Sequence, residues 1–154
     1  MAQQVPPIPE GYRSITPYLI VKDGARAIEF YKKVFGAREK MRMNAPGGKI
    51  GHAELSIGDS MVMLADENPE HNARSPAAFG GSPVTIHLYV KDVDRVAEAM
   101  TKAGAKVLRP VQDMFYGDRA GSFEDPFGHS WHVSTHIEDV TPEEIDRRLA
   151  KLKA

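Results

Sequence analysis

The chain contains two copies of one sequence pattern, and this internal repeat restricts its fold more than any other feature. Residues 15–33 align with residues 84–102 at a constant offset, and eight of the nineteen aligned positions are identical. A further stretch, residues 51–64, aligns with residues 121–134 when the offset is one residue larger. The order of predicted elements repeats as well, so we interpret the chain as two copies of one supersecondary unit.

Each copy predicts a strand, a helix and three further strands. Polar and apolar residues alternate along 15–21 and 84–90 with the period of a β-strand. Asp23 and Asp92 follow these strands at the position of a helix N-cap, and apolar residues then recur at helical spacing. The remaining strands are predicted at 38–44, 52–57 and 61–65 in the first copy, and at 106–108, 122–124 and 130–135 in the second.

The repeat predicts an α+β fold of two βαβββ modules in tandem. Each module has a helix on one face of a curved mixed sheet, and the two sheets surround a cavity. The run 141–144 has the pattern of a capping box with proline at the first helical position, which predicts a short C-terminal helix. The predicted boundaries are an N-terminal arm at 1–13, a first module at 14–66, a connecting loop at 67–83, a second module at 84–139 and the C-terminal helix at 140–154.

A single helix covers one face of each sheet and leaves the other face open. The large side chains of Ile20, Val62, Leu64 and Tyr89 are predicted on that open face. They favour a ligand cavity over a solvated sheet face, which remains the alternative. Met61 and Met63 are then predicted on the core side. Polar residues are predicted to share the open face: Thr16, Tyr18, His52, Glu54, Thr85, His87, Ser122, Glu124, His132 and Ser134.

Composition excludes several classes of function. Twenty basic and twenty-one acidic side chains give a net charge of −1, without the basic excess that nucleic acids or anionic membranes attract. The chain has no cysteine, which excludes disulfides, zinc–thiolate sites and thiol nucleophiles. No apolar run approaches the ~20 residues of a membrane span, and residues 1–10 lack the pattern of a secretion signal. We therefore expect a cytoplasmic protein.

Three segments resemble the vicinal oxygen chelate superfamily of glyoxalases, bleomycin-resistance proteins and dioxygenases. These are TPYLIVKD in the first copy, IHLYVKDVD in the second, and the run YGDRAGSFEDPFGHSWHVSTHIED. The similarity covers about residues 14–139, and within the superfamily it is greatest to the PhnB-like branch. The resemblance implies a small organic ligand and a homodimer, which is the commonest closed assembly.

Metal-dependent members of the superfamily bind their ion through side chains on the first and fourth strands of each module. The corresponding positions here are Thr16, Val62, Thr85 and His132, of which only His132 is a common metal ligand. We therefore expect no cofactor and no tightly bound metal. The alternative is a divalent ion, zinc, nickel, manganese or iron, held by residues displaced along the strands: His52, Glu54, His87 and His132.

The sequence thus predicts a protein that sequesters or modifies an organic ligand without a tightly bound metal. Glu54 and His132 are candidate catalytic residues. A carboxylate such as Glu54 would act as a general base only if burial raised its pKa, whereas pairing with His52 or Arg119 would keep it ionised, and we favour the second role. The predicted ligand-binding residues are Tyr18, His52, His87, Tyr89, Tyr116 and Arg119.

Two other functions remain open at this stage. One is a metal-dependent lyase, isomerase or dioxygenase in which the ion stabilises an enediolate-like intermediate. The other is an interaction module that binds no ligand. We expect neither nucleic acid nor a membrane as a partner.

Overall fold

The structure is a computed structural model that describes residues 5–153. The chain divides between Gly81 and Ser82 into two compact units, here called unit 1 and unit 2. Each unit contains one four-stranded mixed sheet with a helix on one face. The α+β fold of tandem βαβββ modules is confirmed, as is the short helix after the second module.

Unit 1 has the strand order β1-β4-β3-β2, in which β1 is parallel to β4 and the other pairs are antiparallel. The helix lies between the first two strands in the chain. Short 3₁₀ turns follow β2 and β4. The bounds of the elements are β1 Tyr18–Val21, α1 Gly24–Phe35, β2 Arg38–Ala45, β3 Lys49–Ile57 and β4 Ser60–Asp66.

Unit 2 repeats this topology with the order β5-β8-β7-β6. Here β5 is parallel to β8, and the two other pairs are antiparallel. A further helix, α3, follows β8. The bounds are β5 Thr85–Tyr89, α2 Val93–Lys102, β6 Lys106–Asp113, β7 Asp118–Glu124, β8 Ser130–His136 and α3 Pro142–Leu152.

Side-chain caps fix where the helices begin. The Asp23 carboxylate accepts a hydrogen bond from the backbone N–H of Arg26, and Asp92 accepts the equivalent bond from Arg95. Each bond satisfies one N–H that has no partner within its helix. Gly36 ends α1 in the left-handed conformation, with φ of 66°, which glycine adopts without steric cost.

Both cores lie between a helix and one face of its sheet. In unit 1 the side chains of Ile28 and Tyr31 on α1 are fully buried, as is Leu64 on β4. Trp131 on β8 and Met100 on α2 are buried in unit 2. Burial of such side chains contributes roughly 1.5–3 kcal/mol each. The opposite face of each sheet is the one that α1 or α2 does not cover, and it is called here the open face of the unit.

Several strand ends differ from the sequence-based expectation. β1 begins at Tyr18 and not at residue 15, because Pro17 has no N–H to donate to the ladder. β6 and β7 are longer than predicted and remain paired from Lys106 to Asp113, with two register shifts. Pro110 is tolerated inside β6 because β6 is the edge strand of its sheet.

Within residues 5–153, no helix combines the length and the apolar character required to cross a membrane.

Candidate functional site

Strand pairing places one continuous row of side chains across the open face of unit 1. Tyr18 pairs with Met63, which pairs in turn with Glu54, and Glu54 pairs with Met41. Laterally paired residues point to the same face of a sheet, so these four side chains are neighbours. The row brings together an aromatic ring, a carboxylate and two thioethers on the open face.

The predicted orientation of β4 was wrong by one residue. Val62 and Leu64 were predicted on the open face, but they are 5% and 0% exposed and lie under α1. Met61 and Met63 lie on the open face in their place. Tyr18 pairs with Met63 in unit 1, and His87 pairs with His132 in unit 2. Met63 and His132 are therefore equivalent, and the two fourth strands are separated by the same number of residues as the two first strands, not by one residue more as in the sequence alignment. A shift of one residue reverses the face of every side chain in a strand, which explains the error.

A chain of hydrogen-bonding groups runs along β1 and β3 on this face. The hydroxyl of Tyr18 lies 2.8 Å from Nδ1 of His52, and Nε2 of His52 lies 3.2 Å from Oε1 of Glu54. Tyr12 and His52 lower the pKa of Glu54. Glu54 is therefore ionised at neutral pH and is a weak base, so its environment favours the orienting role over general-base catalysis.

Tyr12 belongs to this site, although no sequence pattern indicated it. Its hydroxyl is buried without a well-formed hydrogen bond. Burial and the nearby Glu54 carboxylate together raise the pKa of Tyr12 to about 12. An isolated tyrosine in a proline-rich arm has no periodicity, so only the tertiary structure places it beside β3.

Two imidazoles meet on the open face of unit 2. His87 pairs laterally with His132, and their ring centroids are 4.8 Å apart in an edge-to-face arrangement. Nε2 of His87 is 2.9 Å from the hydroxyl of Ser134, and Nδ1 of His132 is 2.9 Å from the hydroxyl of Ser122. These serine contacts fix the orientation of both rings.

The His132 ring is uncharged at neutral pH. Burial lowers the pKa of His132, and the neighbouring His87 and Arg109 lower it further, against a smaller opposing effect of Asp118. A neutral imidazole has one nitrogen that donates and one that accepts. His132 can therefore bind a ligand group of either kind through its second nitrogen.

Tyr89 links the histidine pair to a buried carboxylate. Its ring stacks on His87 at a centroid distance of 4.6 Å, and its hydroxyl donates to Asp118 over 3.0 Å. Asp118 is 4% exposed and also contacts Nδ1 of His136 at 2.8 Å. Asp118 thus holds Tyr89 in place, with 60% of the tyrosine exposed. Tyr116, in the turn before β7, is close enough to Tyr89 to contribute to its raised pKa, which is due first to Asp118.

Arg119 is not on the open face. It pairs laterally with Thr135, whose hydroxyl accepts a bond from the backbone of α2, so Arg119 lies on the helix side of the sheet. Its Nε and Nη2 donate to Asp94 of α2 at 2.8 Å, and its Nη1 donates to Asp113 at 2.9 Å. β7 begins at Asp118, so Arg119 lies within this strand. Side chains alternate between the two faces of a strand, and Ser122 shares the face of His132, so Arg119 points away from the histidines. The structure therefore does not bring Arg119 to the other predicted ligand-binding residues.

The four alternative metal ligands divide between the two units. Unit 1 supplies His52 and Glu54, and unit 2 supplies His87 and His132, whereas a metal site requires three or four ligands. In the part of the chain that the structure describes, no three histidine or carboxylate side chains converge as a metal site. Neither unit by itself fits a tightly held divalent ion.

Comparison with known proteins gives consistent family matches. The model of the Glyoxalase/Bleomycin resistance protein/Dioxygenase superfamily matches residues 14–133. An uncharacterized protein of Mycobacterium bovis is 41% identical over 140 residues, which is 89% of this chain and 92% of that protein.

Solved structures show the same fold. TioX from Micromonospora sp. ML1 is 30% identical with a TM-score of 0.63, over 80% of this chain and 98% of that one. The fosfomycin resistance protein FosX from Mesorhizobium loti is 25% identical with a TM-score of 0.59, over 89% and 96% of the two chains. A PhnB protein from Bacillus cereus, at 18% identity and a TM-score of 0.63, covers 80% and 99% and is similar in fold alone.

Proposed function

The chain belongs to the glyoxalase/bleomycin resistance protein/dioxygenase superfamily, and from that premise we propose that it binds a small organic ligand on the open faces of its sheets. The ligand is sequestered or modified there without a tightly bound metal. The observation that supports this most strongly is the oriented pair of His87 and His132 beside the exposed ring of Tyr89. Pre-oriented polar groups next to apolar surface are characteristic of ligand sites.

The unused ring nitrogens define the polar part of the ligand. His87 contacts Ser134 through Nε2, and His132 contacts Ser122 through Nδ1. Within residues 5–153, His87 Nδ1 and His132 Nε2 have no hydrogen-bond partner, so they are available to a ligand that donates or accepts. A ligand with hydroxyl, carbonyl or amide groups fits this arrangement.

The apolar side chains define the rest of the ligand. Tyr18 and Tyr89 are 49% and 60% exposed, and each offers a ring on which a planar group can stack. Met41 and Met43 are 39% and 57% exposed, and their flexible thioethers adapt to ligands of different shapes. We therefore infer a planar or aromatic organic molecule with polar substituents.

The similarity to the Mesorhizobium FosX protein supports a resistance role, in which the ligand is a toxic organic compound. Among the residues that the structure describes, the side chains of the metal-dependent alternative do not converge as a group of three, so the proposal is made without a metal. Membership of the PhnB-like branch, a homodimer with two equivalent sites and a cytoplasmic location remain part of the proposal.

The test is a thermal-shift screen with aromatic antibiotics, fosfomycin and thiol conjugates, run with and without zinc, nickel, manganese and iron. A ligand that binds the folded state alone raises the melting temperature. We expect a metal-independent shift that the double variant His87→Ala/His132→Ala loses. The matched control is His71→Ala, which removes an exposed histidine outside the strands. A shift that requires metal, or that survives in the double variant, contradicts the proposal.

A further inference from the structure

An apolar groove runs between α2 and the edge strand β6 of unit 2. It lies on the helix side of the sheet, opposite the face that carries the histidine pair. Its volume is about 430 Å³, within the range of ~300–1,000 Å³ that small-molecule pockets occupy. Residues from the helix and two strands form its walls: Ala97, Thr101, Val107, Pro110, Val111 and Phe123.

Unit 1 fills the corresponding place with larger side chains. Ile28 of α1 stands where α2 has Ala97, and it is completely buried. Lys32 stands where α2 has Thr101, and its amine lies 3.3 Å from the carboxylate of Glu39 on β2. Side chains can therefore fill this groove in the same fold, and in unit 2 it is open because Ala97 and Thr101 are smaller than Ile28 and Lys32.

The strand side of the groove differs in the same direction. Glu39 pairs laterally with Leu55 in unit 1, and Val107 pairs laterally with Phe123 in unit 2, so the two residues are equivalent. Glu39 binds Lys32 and Arg42, which joins α1 to β2 by ion pairs. Val107 forms no such bridge and is 43% exposed. Apolar surface that replaces an ion-pair bridge indicates a site for an apolar occupant.

The polar groups at the rim favour an uncharged occupant. Glu98 is bound to Lys102, and Asp94 is bound to Arg119. The hydroxyl of Thr101 donates to a backbone carbonyl of its own helix over 2.8 Å. Each of these groups already has a partner, so an ionised ligand would lose its hydration without gaining a new ion pair.

We propose that the groove between α2 and β6 is a second ligand site that takes an uncharged, apolar small molecule. It is separate from the open-face site, because the sheet of unit 2 lies between them. The driving force is the removal from water of the apolar surface that Val107, Pro110 and Phe123 present.

The probe is N-phenyl-1-naphthylamine, a neutral apolar dye that fluoresces more strongly out of water. We expect saturable binding at this site, with affinity reduced about tenfold or more in Ala97→Ile/Thr101→Lys, a loss of at least ~1.4 kcal/mol. That variant copies Ile28 and Lys32 of unit 1, so its melting temperature should not fall. Val107→Glu, at a partly exposed position, provides a second variant that should also weaken binding.

Two controls locate the dye. Ala150→Ile makes the same change at an exposed position of α3 and should leave its affinity unchanged. His87→Ala/His132→Ala should also leave it unchanged, whereas loss of dye binding in that variant would place the dye on the open face and overturn the inference. Unchanged affinity in both groove variants would overturn it as well. So would sedimentation showing that the groove variants dissociate an oligomer, because the occupant would then be a second copy of the chain.

Discussion

Removal of the Asp125 carboxylate should destabilise unit 2 and the site that it supports. Asp125 is 3% exposed and follows β7 directly. Its Oδ1 accepts hydrogen bonds from the backbone N–H groups of Phe127 and His129, at 2.9 and 3.0 Å. Its Oδ2 accepts one from the indole N–H of Trp131 at 2.8 Å. One side chain thus fixes the turn that leads into β8 and the histidine at position 132.

The magnitude follows from these three bonds. A hydrogen bond to a charged group contributes about 1.5–3 kcal/mol. Water can reach the backbone groups of an open turn in Asp125→Ala, but Trp131 is only 1% exposed, so water replaces the lost carboxylate poorly at its indole N–H. We therefore expect a loss of about 2–6 kcal/mol in the free energy of unfolding.

Urea denaturation of the wild type, Asp125→Ala, Trp131→Phe and the double variant measures this loss. Once the indole is absent, removal of the carboxylate should cost less, and the difference is the coupling energy of the two groups. Asp125→Asn is the conservative control, because it keeps one oxygen acceptor and should lose less than the alanine variant. A loss below about 1 kcal/mol in Asp125→Ala would refute the reasoning.

Four other outcomes are expected. NMR titration should give His132 a midpoint below 6.5 and His136, bound to two aspartates, a midpoint above 6.5; the reverse order would contradict the site electrostatics. Because the pKa of His132 is lower in the folded protein than in the unfolded chain, its contribution to the free energy of unfolding should be lost as the pH falls below 6.5. His132→Asn should abolish that part of the pH dependence. Glu54→Gln should bring the pKa of Tyr12 below its value of about 12 in a spectrophotometric titration. Gly24→Ala should cost about 1–3 kcal/mol in chemical denaturation, because its methyl carbon would lie 2.8 Å from side-chain atoms of β3; an unchanged midpoint would contradict this.

Most of the fold could be predicted because its signals are local. The strand alternation, the caps at Asp23 and Asp92 and the capping box before α3 each depend on residues a few positions apart. The repeat then showed that the same elements occur twice. Strand ends were less predictable, since the continuation of β6 past Pro110 depends on pairing with β7 and not on its own residues.

The candidate site was predicted in part. Tyr18, His52, Glu54, His87, Tyr89 and His132 all belong to rows on the open faces, as their alternation predicted. Whether they bind a ligand or take part in catalysis stays a prediction. Arg119 was predicted to bind the ligand, and it lies instead on the helix side, because β7 begins four residues earlier than predicted and includes it.

The sequence by itself determined the duplication, the order of the elements and the alternation of polar and apolar side chains within each strand. These follow from covalent neighbours and from the fixed periods of helices and strands. Only the tertiary structure decided which face β4 turns to the helix, that Tyr12 lies beside Glu54, and that the groove of unit 2 is open. Each of these depends on hydrogen bonds or volumes shared by segments far apart in the chain, and no local pattern encodes the registry between them.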